Sequence, residues 1–183
     1  MLETLLENID LVRTIHILGV ALGLGTATIT DVFFFRFLKD FKISRMESGV
    51  MRTLTLVIWF ALVILVASGT VLYLQDMERL NQSSKFLTKM IVVGVIIING
   101  IVLNLFISPR LTKISSDKYT RRIAFALGAI SITSWYSAFL LGMFRAVPLS
   151  FAVLVSIYCA LSLLAIVASQ VMERIYTKRS KSG

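Results

Sequence analysis

The sequence predicts an all-α fold, an integral membrane bundle of five transmembrane helices with the N-terminus outside and the C-terminus in the cytoplasm. Three observations predict it. The first is composition: of 183 residues, 57% are apolar and 16% charged, with a mean hydropathy of +0.85, whereas a soluble domain has roughly 45–50% and about 25%. The second is that the charged residues cluster and leave five gaps of membrane length. The third is an unequal count of Lys and Arg on the two sides of those gaps. Such a composition excludes an ordinary soluble enzyme and a disordered chain. The single Cys159 excludes a disulfide-stapled module, because it can close no intrachain bridge and build no Cys-rich metal site.

The gaps justify the elements in order. Thr14 to Thr30 lacks Asp, Glu, Lys and Arg for 17 residues and extends to Phe35 past a single Asp31. Thr53–Gln75 gives 23 such residues, Met90–Pro109 gives 20, Ile123–Phe144 gives 22 and Ala146–Met172 gives 27. About 20 apolar residues in a helix cross a hydrocarbon core of roughly 30 Å, so spans are predicted over 11–38, 50–75, 85–108, 121–144 and 148–176. Membrane strands would alternate over about 10 residues instead, and no such alternation occurs. The opening MLETLLENID is acidic where a cleavable signal peptide is basic. Loops this short hold no soluble domain, and residues 1–183 read as one transmembrane bundle.

Orientation follows from the basic residues. The first and third loops and the C-terminal tail carry 14 Lys and Arg, among them Arg36, Arg52, Arg121 and Arg122. The opposite side carries five: Arg13, Arg79, Lys85, Lys89 and Arg145. The positive-inside rule assigns the richer side to the cytoplasm. The net charge of +9 is thereby a topology signal, and with no folded basic module it does not indicate nucleic acid. The expected partners are the bilayer, anionic lipid heads at the cytoplasmic face and further subunits of a homo- or hetero-oligomer. The expected location is a cell inner (plasma) membrane.

Few residues within the spans carry chemistry. His16 is the only histidine, and at 100° per residue it shares a helix face with Gly19, Gly23 and Ala27. Small residues at that spacing admit either a neighbouring helix or a flat cofactor against the backbone. The imidazole then serves either as an interhelical hydrogen-bonding group or as a haem or copper ligand. Met90 and Met143 are predicted at similar or shallower depth and are candidate thioether ligands to a metal, with gap-filling as the alternative. Lys85, Lys89 and Arg145 lie at the same outer end, where they would hold a cofactor's carboxylates, another carboxylate or a lipid phosphate, or else snorkel to the interface. Asp76 or Glu78 is expected to neutralise Lys89. Asp31, the one acid inside a predicted span, is a candidate for a proton relay or an ion pair. Its position near the cytoplasmic boundary favours a pair with Arg52 or Arg110. Asn99, Asn104, Ser131, Ser134 and Ser137 read as interhelical hydrogen-bonding groups. No phosphate loop, dinucleotide fingerprint, zinc-protease or serine-hydrolase motif is present.

Two segments resemble a known group. LVRTIHILGVALGLGTATITDVFF is similar to the opening helix of CopD-like and HemJ-like bacterial membrane proteins, in which a histidine precedes a glycine-rich helix. KFLTKMIVVGVIIINGIVLNLFISPRL resembles their later helix, with a leading lysine, a central asparagine and a closing proline–basic pair. The resemblance implies a helical bundle linked to copper uptake or to haem and porphyrin redox chemistry, with His16 as ligand and Lys85 or Lys89 facing an anionic group. The further histidines of haem-binding relatives are absent here. Three functions stay open: a haem-b-type redox or electron-transfer subunit with an outer-side site, a copper or small-solute transfer protein, and a cofactor-free structural or accessory subunit of a membrane complex.

Overall fold

The computed structural model describes residues 8–37, 45–107, 118–144 and 147–179, and among these the side chains of 35, 37 and 176–179 are not described. Every regular element among the described residues is helical: α1 (Ile9–Phe37), α2 (Arg45–Gln75), α3 (Met77–Asn81), α4 (Ser84–Val102), α5 (Lys118–Met143) and α6 (Phe151–Arg179). Five of them, α3 excepted, are long and apolar enough to cross a membrane.

The sequence expectation of five spans corresponds to these helices, and the ends differ for local reasons. The second helix begins at Arg45 rather than 50, because an amphipathic turn carrying Arg45, Glu47 and Arg52 continues the helix beyond the apolar run. The last begins at Phe151 rather than 148. Pro148 has no N–H to give a helix, and Ser150 opens the helix by accepting from Val153 N through Oγ and from Leu154 N through its carbonyl. Ser83 caps α4 likewise, its Oγ accepting from Phe86 N at 3.3 Å. After Val102 the ladder widens into a π turn over Leu103–Ile107. Residues 38 and 108, the expected ends of the first and third spans, lie outside the described residues.

Contacts between helices show that the chain runs up and down. His16, Gly19 and Gly23 of α1 meet Ser68, Leu65 and Ala61 of α2 in reverse order. Lys85 of α4 reaches Phe144, just past the C-terminal end of α5, and Asn99 reaches Leu127 in its N-terminal half. Arg121 and Ser134 of α5 reach Glu173 and Tyr158 of α6. One end of the bundle therefore collects the starts of α1, α4 and α6, and is called here the His16 end. The other collects their C-terminal halves and is the Asp31 end.

Two apolar clusters lie along the bundle. Ala27, Leu62, Val92, Ile96, Trp135 and Tyr158 form the central one. Phe34, Ile107, Ala124 and Phe125 form the second towards the Asp31 end, with the Phe34 and Phe125 rings 6.2 Å apart and tilted.

Candidate functional site

Two cavities open between the helices, one towards each end. The His16 cavity has a volume of about 590 Å³ and takes its walls from α1, α2, α4 and α5, with Leu80 and Asn81 of α3 at its edge. The Asp31 cavity, about 400 Å³, is walled by the same four long helices and the π turn. Both fall within the roughly 300–1,000 Å³ of small-molecule sites. Leu62, Ile96 and Trp135 line both, so the two cavities are separated by one layer of the central core.

In the His16 cavity the histidine is held by Ser68. His16 Nδ1 is 2.9 Å from Ser68 Oγ, and Ser68 gives its only proton to the Ile64 carbonyl at 2.6 Å. With that proton committed, Ser68 can only accept from the ring, which assigns the neutral imidazole its proton on Nδ1 and a lone pair on Nε2. The ring packs against α2 at Gly69, where a Cβ would sit 3.4 Å from His16 Cε1, an ordinary contact distance. Lys89 and Met90 share the cavity wall with His16, as do the stacked rings of Tyr73 and Phe86, 5.5 Å apart. Tyr73 also donates to Asn81 Oδ1 at 3.1 Å, which fixes the short α3 against α2.

The other expected site residues fall elsewhere. A Cβ on Gly19 would meet Ile64 and Leu65 at 3.0–3.3 Å, and one on Gly23 would meet the Trp135 indole at 2.6 Å. The flat group admitted by Gly23 is thus a tryptophan, and protein fills the place where a cofactor was expected beside the two glycines. Lys85 caps the end of α5, donating to the Phe144 carbonyl at 2.8 Å, where a cation complements the helix dipole. Met143 is exposed and is not part of the cavity wall. Arg145 lies outside the described residues. Asp76 pairs with Arg79 rather than neutralising Lys89, and Lys89 makes no ion pair among the described residues. No group of three His, Cys, Asp or Glu converges among the described residues. His16 and Met90 remain as the two expected ligands that share a wall.

The Asp31 cavity corrects a second expectation. Asp31 is 6% exposed and its Oδ2 has no partner among the described residues. Arg52 lines the same cavity but forms no ion pair with it, and Arg110 lies outside the described residues. Both residues line the cavity wall. Asn99 bridges helices as expected, through Nδ2 to the Leu127 carbonyl at 3.1 Å, while its Oδ1 is buried without a partner among the described residues. Ser134 meets Tyr158 at 2.7 Å. Asn104 and Ser131 instead line the cavity.

Three features were not anticipated from sequence. Ser68 is one small polar residue within an apolar run, and no spacing rule singles it out. The two tryptophans, Trp59 and Trp135, both line the Asp31 cavity. Glu173 is buried to 1% exposure between Arg121 (2.8 Å) and Arg122 (3.5 Å). No protein-family model, curated protein or solved structure matches the chain.

Proposed function

We propose that the chain is a multi-pass protein of an inner (plasma) membrane, N-terminus outside, that transfers a small anionic solute through the bundle. One observation carries this reading: two cavities walled by the same four helices meet at a single layer formed by Leu62, Ile96 and Trp135. A structural subunit needs a filled seam at that place, whereas a transfer path needs space on both sides of a thin barrier. The sign of the solute follows from Lys89, a half-buried ammonium on the wall of the His16 cavity without an acid partner among the described residues. A carboxylate or phosphate oxygen would complete it through a charge-assisted hydrogen bond. His16 Nε2 supplies an acceptor on the same wall for a solute's hydroxyl or amide proton. Movement of Trp135 away from Gly23 would join the two cavities.

The test is uptake into proteoliposomes of labelled acetate, succinate and inorganic phosphate. At least one should enter faster than into protein-free vesicles, and Lys89→Gln should abolish the difference. No protein-dependent uptake of any of the three would overturn the reading.

A second reading, a haem-b-type electron carrier, is favoured by the pairing of His16 and Met90 on one cavity wall with His16 Nδ1 already held by Ser68. Imidazole and thioether suit a low-spin haem, Lys89 would meet a propionate, and haem bound there would supply a one-electron centre. The resemblance to CopD-like and HemJ-like proteins supports it as well. A Soret band in detergent-purified protein, lost in His16→Ala, would establish it in place of solute transfer.

A further inference from the structure

Asp31 and Asn99 are each more than nine-tenths buried, at 6% and 5% exposure, and both line the same cavity. The atoms without partners among the described residues, Asp31 Oδ2 and Asn99 Oδ1, are both acceptors. The orientation of the amide is settled by its other bond, because the Leu127 carbonyl can be met only by an N–H. Two of the wall hydroxyls bring no donor: Thr30 and Thr55 give their protons to the Thr26 and Met51 carbonyls at 2.7 and 2.9 Å. These hydroxyls present lone pairs instead. The cavity thus holds a buried carboxylate and a buried amide oxygen beside the hydroxyls of Thr30, Thr55, Ser48 and Ser131 and the Asn104 amide, and the one cation on its wall among the described residues, Arg52, is exposed and unpaired with Asp31.

We propose that Asp31 and Asn99 form a binding site for one small monovalent cation, an alkali ion or ammonium, entering from the Asp31 cavity. A proton on Asp31 would neutralise the carboxylate as well, and a response to pH alone is the sign of it. A single cation touching both satisfies two acceptors at once, and hard oxygen donors are what such ions take. One formal negative charge matches one positive charge, whereas a divalent ion would leave net charge buried. The site deepens the transfer reading, on which its role rests: an anionic solute passing from Lys89 would be repelled by a bare Asp31, and the bound cation removes that barrier. Solute and cation would then move together.

Trp59 lines the Asp31 cavity and not the His16 cavity, and Trp135 lines both. The intact, detergent-purified chain is titrated with NaCl, KCl and NH4Cl against N-methyl-D-glucamine chloride at constant ionic strength. Tryptophan emission and the thermal unfolding midpoint are followed together. A saturable change with at least one small cation, accompanied by a raised midpoint, is expected, since a ligand of the folded state stabilises it. The sodium, potassium and ammonium arms tell an alkali ion from an amine. Asp31→Asn should weaken binding by about tenfold or more, the loss of a charge-assisted contact, and Asn99→Ala should weaken it less. An equal response to N-methyl-D-glucamine, a response to pH alone, or unaltered affinity in folded Asp31→Asn would overturn the site. If Asp31→Asn fails to fold, the wild-type cation series and Asn99→Ala decide. Binding without anion uptake in proteoliposomes would remove the transfer reading and leave the site, while uptake without binding would do the reverse.

Discussion

Two carboxylates are buried at the same end of the bundle, and the fold treats them oppositely. Glu173 on α6 is 1% exposed and sits between Arg121 and Arg122 of α5. Asp31 on α1 is 6% exposed and faces a cavity, with no ion pair among the described residues. Both acids bear the cost of leaving water. Glu173 recovers it from charges supplied by a neighbouring helix, which makes the contact between α5 and α6 a fixed joint. Gln170 reinforces that joint by donating to the Arg122 carbonyl at 2.9 Å. Asp31 has no such partner among the described residues, and the proposed cation would supply the charge it lacks. A buried ion pair is part of the frame, and a buried unpaired acid is part of a site.

The largest test of this contrast is Glu173→Ala. Removing one member of a buried pair leaves two arginines without their shared partner, and a loss of about 3–5 kcal/mol is expected. Denaturant unfolding in detergent micelles, followed by circular dichroism, measures it. A loss below about 1 kcal/mol, the size of one ordinary hydrogen bond, would break the contrast by making Glu173 as dispensable as a surface acid.

Next in size is Gly23→Leu. The Trp135 indole occupies the space of a Cβ at Gly23, 2.6 Å away, and overpacking of this kind costs about 1–3 kcal/mol. The layer that divides the two cavities would shift with the indole, so tryptophan emission should change together with stability. Unchanged emission would mean that Trp135 is not the barrier between the cavities.

What the sequence could and could not disclose follows from which coordinate a pattern carries. Charge-free runs measure length along a helix, so five long helices were legible while the amphipathic start of α2 at Arg45 was not. Position along the chain placed Met90 and Met143 at similar or shallower depth than His16, and Lys89 at the same outer end. It says nothing about direction around the helix axis, and Met143 accordingly stands outside the cavity that Lys89 and Met90 share with His16. Helical periodicity placed Gly19 and Gly23 on one face but could not name their occupants, which are Ile64, Leu65 and Trp135 from helices far along the chain. Glu173 read as the first charge after an apolar run. Its partner Arg121 is 52 residues away, and no local pattern links them.

Ser68→Ala probes the His16 end, where a smaller effect is expected. The change removes the acceptor for His16 Nδ1 and should cost about 1 kcal/mol. Because His16 is the only histidine, the two ring nitrogens can be observed unambiguously by 15N NMR. In the neutral ring the wild type should show the proton on Nδ1, and the variant a mixture of tautomers. A wild-type proton on Nε2 would reverse the donor assignment and remove the acceptor proposed for the solute.

The smallest change in stability is expected from Asp31→Asn, and that near-absence is what the contrast requires. If Asp31 were secured by a protein partner, neutralising it would weaken the fold on the scale of Glu173→Ala. With no such partner, the substitution removes a buried charge and brings N–H donors to a wall whose orphan groups, Asn99 Oδ1 foremost, are acceptors. Folded yield and denaturation midpoint in cation-free buffer should therefore match the wild type or exceed it slightly, by less than about 1 kcal/mol. In saturating small cation the order should reverse, because only the wild type gains from binding. A variant less stable than the wild type by several kcal/mol in both buffers would show that Asp31, like Glu173, belongs to the frame.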